Sequence, residues 1–268
     1  MNDRVSVEIK DGVADVRLVR ADKMNALDNA MFAALVETGE RLKTEQGVRC
    51  VVLSGEGRAF CAGLDMGNFA QMASGDGRRS SEALVTTRRT PGGANHAQQA
   101  CMVWREIPVP VIGAIHGVAF GGGFQLALGC DIRLVTADVK LAVLEIKWGL
   151  VPDMAGIVLM RGLVRDDVAR ELTFTGRIFG GEEAVAMGLA TRVCADPRAE
   201  ALAMAAEIAA KNPDAIRAGK RLLNMAAESD QPAILLAESR EQGALIGSPN
   251  QIEAVMSNLQ KRAANYAD

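Results

Sequence analysis

Three consecutive glycines, Gly121 to Gly123, stand between two apolar runs of this chain. The run before them, VPVIGAIHG (109–117), is typical of a buried strand, and the run after them, FQLALG, is typical of a helix. Glycine costs backbone entropy, so the triplet indicates close backbone approach or an unusual conformation. A strand that opens into a helix leaves N–H groups free at the helix N-terminus, where an anion or carbonyl can bind. Tight packing of helix on strand is the alternative explanation.

Phosphate-binding signatures are weak around these glycines. The motif G-x-G-x-x-G, started at Gly121, requires a glycine where the chain has Leu126, and no stretch resembles the P-loop motif. A formal net charge of −3 and 4% aromatic residues supply neither the basic surface nor the stacking groups of a nucleic-acid-binding protein. No apolar run approaches the roughly 20 residues of a transmembrane helix. We therefore expect no nucleic-acid or membrane partner, and carbonyl binding remains as the hypothesis.

Strand, turn and helix patterns recur over residues 1–196, which predicts an α/β core. Alternating residues around an Asp-Gly turn predict a β-hairpin over 5–19, and Asp28 is expected to cap a helix that ends near Lys43. The polar, basic segment 74–93 predicts a surface loop. Residues from 197 onward show Ala-rich helical patterns, whose apolar faces must pack on the core, on a partner subunit, or on both. Further strands are predicted at 50–55, 109–117 and 131–137, and a helical segment at 68–72.

The five cysteines contain no C-x-x-C pair, and four of them stand in apolar runs typical of buried thiols. No cluster of residues has the spacing of metal ligands, so no metal is expected. The N-terminal residues MNDRVSVEIK alternate and are charged, unlike a secretory signal. These features favour a reducing, cytoplasmic setting.

Two glycine-containing stretches, read together, carry a family resemblance. RAFCAGLDM (58–66) and HGVAFGGGFQLALGCDI (116–132) resemble the enoyl-CoA hydratase/isomerase, or crotonase, superfamily. KMNALD (23–28), EIKWGLVPDM (145–154) and TGRIFGGEEAVAMGLATRVC (175–194) extend the resemblance over nearly the whole chain. One such motif is a weak signal, but this order and spacing are specific.

The resemblance implies a fold and a ligand. Residues 1–196 would form a spiral α/β core of ββα units, and residues 197–268 a helical region that assembles a homotrimer or homohexamer. The ligand would be an acyl-CoA thioester, so coenzyme A enters as part of the substrate and no separate cofactor is implied. Leu64 and Gly122 would donate backbone N–H groups to the thioester oxygen. By position, the coenzyme A contacts fall on Lys23, Ala26, Ala62, Gly63, Leu64 and Met66.

Enolate chemistry next to a thioester requires a base, and the sequence offers two carboxylates for it. Hydratases of the superfamily that this chain resembles have a glutamate just beyond the glycine triplet. This chain has Gln125 there, and its amide cannot accept a proton near neutral pH. The second family position is Glu145. Asp153 follows eight residues later, as in dienoyl-CoA isomerases, although it is alternatively the N-cap of the helical run after it.

These residues favour isomerisation over water addition. The predicted enzyme shifts a double bond in an enoyl- or dienoyl-CoA, with Glu145 as base and Asp153 as second proton carrier. Leu64 and Gly122 would form its oxyanion hole. Two alternatives stay open: a hydratase in which Glu145 works with a water held by Gln125, and a non-catalytic acyl-CoA-binding protein.

Overall fold

The computed structural model describes residues 3–71, 85 and 89–268, so most of the predicted loop 74–93 lies outside the described residues. The predicted hairpin is confirmed, because β1 (Val5–Lys10) pairs antiparallel with β2 (Val13–Leu18). Asp11 and Gly12 at its turn have φ of 50° and 79°, which a tight turn between twisted strands requires.

A six-stranded sheet grows from this hairpin. The further strands are β3 (Cys50–Gly55), β4 (Val111–Ile115), β5 (Val118–Phe120), β6 (Ile132–Val135), β7 (Lys140–Ala142) and β8 (Arg192–Val193). The order in the sheet is β1-β2-β3-β4-β6-β8, and every pair after the hairpin is parallel. β5 and β7 form a separate parallel pair. Since carboxyl ends of parallel strands meet at one edge, the loops after β3 and β4 gather there.

Helices lie on both faces of the sheet and, towards the C-terminus, outside it. They are α1 (Asn29–Thr44), α2 (Met66–Gln71), α3 (His96–Glu106), α4 (Gly122–Leu128), α5 (Gly156–Met160), α6 (Asp166–Thr175), α7 (Gly181–Met187), α8 (Pro197–Ala209), α9 (Pro213–Ala226), α10 (Gln231–Leu245) and α11 (Pro249–Gln260), with 3-10 turns at Ala21–Lys23 and Glu145–Trp148. The predicted cap of α1 is confirmed: the Asp28 carboxylate accepts a hydrogen bond from Met31 N at 2.8 Å. The predicted helical segment 68–72 corresponds to α2, and Met72 lies outside the described residues.

Alternation along β3 divides the core into two layers. Val51 and Leu53 point into the larger core, which α1 and α3 cover, whereas Val52 points into a smaller core on the opposite face. Ala201 and Ala205 of α8 cover that second face. The first helix of the 197–268 region therefore packs on the sheet, while α10 has no buried residue. The predicted domain division at residues 196 and 197 stays a prediction.

In the parts of the chain that the structure describes, no helix is long and apolar enough to span a bilayer. All five cysteines are free thiols, and Cys50, Cys61, Cys101 and Cys130 are buried, as their apolar surroundings predict. The cytoplasmic setting stays a prediction.

Candidate active site

The glycine triplet joins β5 directly to α4. Gly121 takes φ of 50° at the N-cap of α4, a conformation that favours glycine, and Gly122 is the first helical residue. A Cβ atom on Gly123 would lie 2.2 Å from the carbonyl oxygen of Cys61, so this position requires glycine for close packing. The packing explanation therefore holds for Gly123. Gly122 is also closely packed, since a Cβ atom on it would lie 2.7 Å from Met154 Sδ, but this contact leaves its backbone N–H available.

A second backbone segment runs alongside the triplet. Cys61 N donates to Val118 O at 3.1 Å, and Phe120 N donates to Cys61 O at 3.2 Å. These bonds align residues 61–64 with residues 118–122. Gly63 then passes so close that a Cβ atom on it would lie 2.5 Å from Phe120 O.

The two predicted N–H donors are brought into this contact. The Cβ position of Gly63, the neighbour of Leu64, lies 3.9 Å from Gly122 N. Among the described residues, neither Leu64 N nor Gly122 N has a hydrogen-bond acceptor. The fold thus places two backbone N–H groups without acceptors on adjacent segments, and their predicted role as an oxyanion hole stays a prediction.

The predicted coenzyme A contacts lie on two segments that pair with each other. Ala62 N donates to Met24 O at 2.9 Å, and Leu27 N donates to Gly63 O at 2.8 Å. The predicted positions share this ladder, and Lys23 and Met66 at its ends are exposed. The complete predicted set on these segments is Lys23, Ala26, Ala62, Gly63, Leu64 and Met66.

Sequence analysis missed Arg20, which ties the two segments together. Its Nη1 donates to Asp65 Oδ2 at 2.6 Å and to the Ala26 carbonyl at 3.0 Å. Asp65 in turn accepts from Gly67 N at 2.8 Å, a local capping bond at the start of α2. Arg20 and Asp65 are 45 residues apart, so no local pattern indicates this contact.

Glu145 opens the 3-10 turn after β7 and is 8% exposed. Its Oε1 accepts from Gln125 Nε2 at 2.6 Å, and it lies 3.1 Å from the position of a Cβ on Gly121. Glu145 Oε2 is buried without a hydrogen-bond partner among the described residues. Burial raises the pKa of Glu145 and the charge of Asp153 adds to the rise, while hydrogen bonding from backbone N–H groups of the turn and from Gln125 opposes it.

Asp153 does not cap a helix. α5 begins at Gly156, its N-cap is Ala155 with φ of 69°, and no side chain caps it, so the helix-cap explanation for Asp153 is wrong. Asp153 is exposed as a whole residue. Protein atoms around its carboxyl group nevertheless desolvate that group and raise its pKa. Asp153 directly precedes Met154, whose N–H donates to Gln125 Oε1 at 2.9 Å, and the same side chain bonds Glu145 through Nε2, so both predicted carboxylates flank Gln125.

Gln125 lies on α4 behind the triplet and is 1% exposed. Its Oε1 accepts from Met154 N at 2.9 Å and from Gly156 N at 2.8 Å, in addition to the bond that its Nε2 donates to Glu145. The described residues contain no group of three or more His, Cys, Asp or Glu that could hold a metal ion. The two backbone N–H groups of Leu64 and Gly122, together with the desolvated Glu145 carboxylate, suit proton removal next to a carbonyl.

Comparison with known proteins decides the family. The family model for enoyl-CoA hydratase/isomerase matches residues 8–268. The chain belongs to this family. Its fold matches the crystal structure of the enoyl-CoA hydratase of Mycobacterium smegmatis with a TM-score of 0.85 at 30% identity, covering 98% of both chains. The resemblance and the crotonase-like α/β fold expected from the sequence are confirmed.

Relatives within the family carry the names of different reactions. The chain is 33% identical to the mitochondrial Delta(3,5)-Delta(2,4)-dienoyl-CoA isomerase of Mus musculus, over 78% of this chain and 64% of that protein. It is 29% identical to the mitochondrial methylglutaconyl-CoA hydratase of Mus musculus, over 95% of this chain and 79% of that protein. Family membership therefore leaves open the choice between isomerase and hydratase.

Proposed function

We propose that this family member is an acyl-CoA isomerase that moves a double bond along an enoyl or dienoyl thioester. With a 3-enoyl thioester, Glu145 removes a proton from C2, negative charge moves onto the thioester oxygen, and the proton returns at C4. The N–H groups of Leu64 and Gly122 hold the developing oxyanion. Each such donor is typically worth about 10²–10³ in rate.

The hydrogen bonds of Gln125 support isomerisation rather than hydration. In the hydratases that the sequence resembles, the second carboxylate stands at position 125, where this chain has an amide whose oxygen already accepts two backbone N–H groups. Its nitrogen is bonded to Glu145, and the side chain is 1% exposed. The remaining N–H of this buried amide can donate to a water but cannot accept its proton, which argues against the hydratase alternative.

A non-catalytic binding role is disfavoured by the burial of Glu145. A buried carboxylate oxygen without a partner costs free energy of folding, and an acyl-CoA-binding protein gains nothing from it. A base needs such an oxygen, because it must meet the substrate proton directly.

Coenzyme A is proposed to enter only as part of the substrate. Its contacts would come from the ladder formed by residues 23–27 and 62–66, where Lys23 supplies an exposed cation. No separate cofactor is proposed, since enolate formation needs a base and donors alone.

A panel of 2-enoyl, 3-enoyl and dienoyl thioesters tests this function. We expect the 3-enoyl and dienoyl substrates to be converted with no change of mass, because isomerisation only relocates a proton. Asp153→Asn should retain exchange of the C2 proton in deuterated solvent and lose dienoyl conversion, since an amide cannot carry the proton to the distal carbon. Mass spectrometry and absorbance give both readouts.

Rapid addition of one water to the 2-enoyl thioester, with the other substrates untouched, would replace the isomerase by the hydratase. Full dienoyl activity of Asp153→Asn would remove Asp153 from the mechanism and leave Glu145 as the sole carrier.

A homotrimer or homohexamer is proposed from the exposed apolar side chains of the C-terminal helices. Large exposed apolar patches mark protein–protein interaction sites. Light scattering should therefore give three or six times the chain mass of 28.4 kDa. A monomer at micromolar concentration would contradict the proposal. The following side chains are each more than half exposed: Leu223, Leu235, Leu236, Ile246, Ile252 and Leu259.

A further inference from the structure

We propose that Gln125 is a positioning residue: its amide links Glu145 to the loop that carries Asp153, fixes which Glu145 oxygen takes the substrate proton, and thereby favours double-bond migration over water addition. The proposal rests on the proposed function. It assigns a role to position 125, where this chain has a glutamine and the hydratases that it resembles have a glutamate.

The hydrogen bonds determine the orientation of the amide without ambiguity. The N–H groups of Met154 and Gly156 can only donate, so the oxygen of Gln125 must face them. Its NH₂ group then faces Glu145 and can also only donate. Glu145 Oε1 is therefore restricted to accepting this bond, and a proton on Glu145 must sit on Oε2.

Glu145 Oε2 is the atom that lacks a partner. It is buried and unpaired among the described residues, whereas Oε1 is held at 2.6 Å from Gln125 Nε2. One oxygen is thus an anchor and the other a free acceptor. The substrate proton goes to Oε2 and leaves from Oε2, and no proton is exchanged with Gln125.

Gln125 connects three parts of the site. Its backbone N–H donates to Gly121 O at 2.9 Å inside the triplet, so the residue shares a helix with the proposed Gly122 donor. A Cβ atom on Gly156 would lie 2.6 Å from Gln125 Oε1, so the loop can approach only as glycine. The loop that bears Asp153 is held at a fixed place relative to Glu145.

A carboxyl at position 125 would change the proton chemistry. Gln125→Glu could still accept the two backbone N–H groups, but its second oxygen would face Glu145 at the present 2.6 Å separation. Two carboxylates at that distance share one proton and titrate as a pair. The native amide keeps Glu145 an independent base, with Asp153 the other charge acting on it and the buried Cys101 thiol nearby kept neutral by its raised pKa.

The test compares Gln125→Met and Gln125→Glu with the control Gln99→Met. Gln99 is also a buried glutamine whose Nε2 donates to carboxylates, at 2.9 Å from Glu40 and 2.8 Å from Glu106, but it lies outside the site. The measurements are exchange of the C2 proton against pH, the ratio of isomerised to hydrated product, and ¹³C NMR titration of the Glu145 carboxyl.

We expect Gln125→Met to lower the exchange rate about 10- to 100-fold, the effect of one hydrogen bond to a charged group. The acidic limb of the profile of exchange rate against pH should move to higher pH, because the hydrogen bond that favours the charged form of Glu145 is lost. Gln125→Glu should also move the limb to higher pH and should produce hydrated product. Gln99→Met should change neither the limb nor the ratio.

An unchanged limb and rate in Gln125→Met, or an unchanged limb in Gln125→Glu, overturns the positioning role. If Gln125→Met does not fold, the glutamate variant alone decides. Failure of the proposed function is seen separately, because the wild-type protein would then hydrate without isomerising, whereas the NMR titration of Glu145 needs no substrate.

Discussion

Glu145→Gln is expected to reduce proton exchange and isomerisation by at least about 10²–10⁴-fold, the usual contribution of a positioned general base. The glutamine keeps the size of the side chain and an oxygen that can accept from Gln125 Nε2, but its other atom cannot take a proton. Binding of the thioester should persist, so the loss falls on kcat rather than on KM. Stopped-flow absorbance and exchange in deuterated solvent measure it.

The matched control is Glu106→Gln, because Glu106 Oε2 also accepts from a glutamine Nε2, that of Gln99 at 2.8 Å. It lies on α3, away from the triplet, and should leave turnover unchanged. A folded Glu145→Gln that turns over near the wild-type rate would end the assignment of Glu145 as base.

The raised pKa of Glu145 also gives this variant a distinct stability profile. The folded protein binds the Glu145 proton more tightly than the unfolded chain, so the free energy of unfolding falls as pH rises from the unfolded pKa through the folded one. Glu145→Gln lacks this contribution. Its free energy of unfolding relative to wild type should therefore increase across that interval, which urea unfolding at several pH values measures.

Local signals were sufficient for elements whose cause is local. The Asp11-Gly12 turn and the Asp28 cap involve contacts within a few residues, and both predictions are confirmed. The V-P-D-M stretch looked equally local, yet Ala155 takes a left-handed conformation and α5 starts only at Gly156. Local preference failed there because a tertiary contact, the approach of Gly156 to Gln125, sets the backbone.

The roles of the site residues depend on contacts distant in sequence. Gln125 lies 20 residues from Glu145 and 31 from Gly156, so the sequence could show that a carboxylate was missing but not what the amide holds. The unpaired Glu145 Oε2 and the contact between Arg20 and Asp65 also depend on residues that are distant in sequence. The order of the motifs along the chain was enough to predict that these residues lie near a ligand. The direction of each hydrogen bond could be determined only from the folded structure.

Gly122→Pro is expected to lower kcat by about 10²–10³-fold, the typical cost of one oxyanion donor. Proline has no backbone N–H, and the first position of a helix, which Gly122 occupies in α4, is where its fixed φ is best tolerated. The new side chain would meet Met154 Sδ at 2.7 Å and Leu27 Cδ1 at 2.9 Å, so both flexible side chains must shift. Circular dichroism and thermal unfolding establish that the variant folds.

Gly122→Ala separates the lost donor from this crowding, because alanine adds the same Cβ atom and retains the N–H. Any loss shared by both variants belongs to the displaced Met154 and Leu27, and the additional loss in Gly122→Pro belongs to the donor. That additional loss should appear in kcat, since charge on the thioester oxygen develops only toward the enolate and is nearly absent in the bound substrate. If the folded proline variant matches the alanine variant in kcat, the Gly122 amide does not stabilise the enolate.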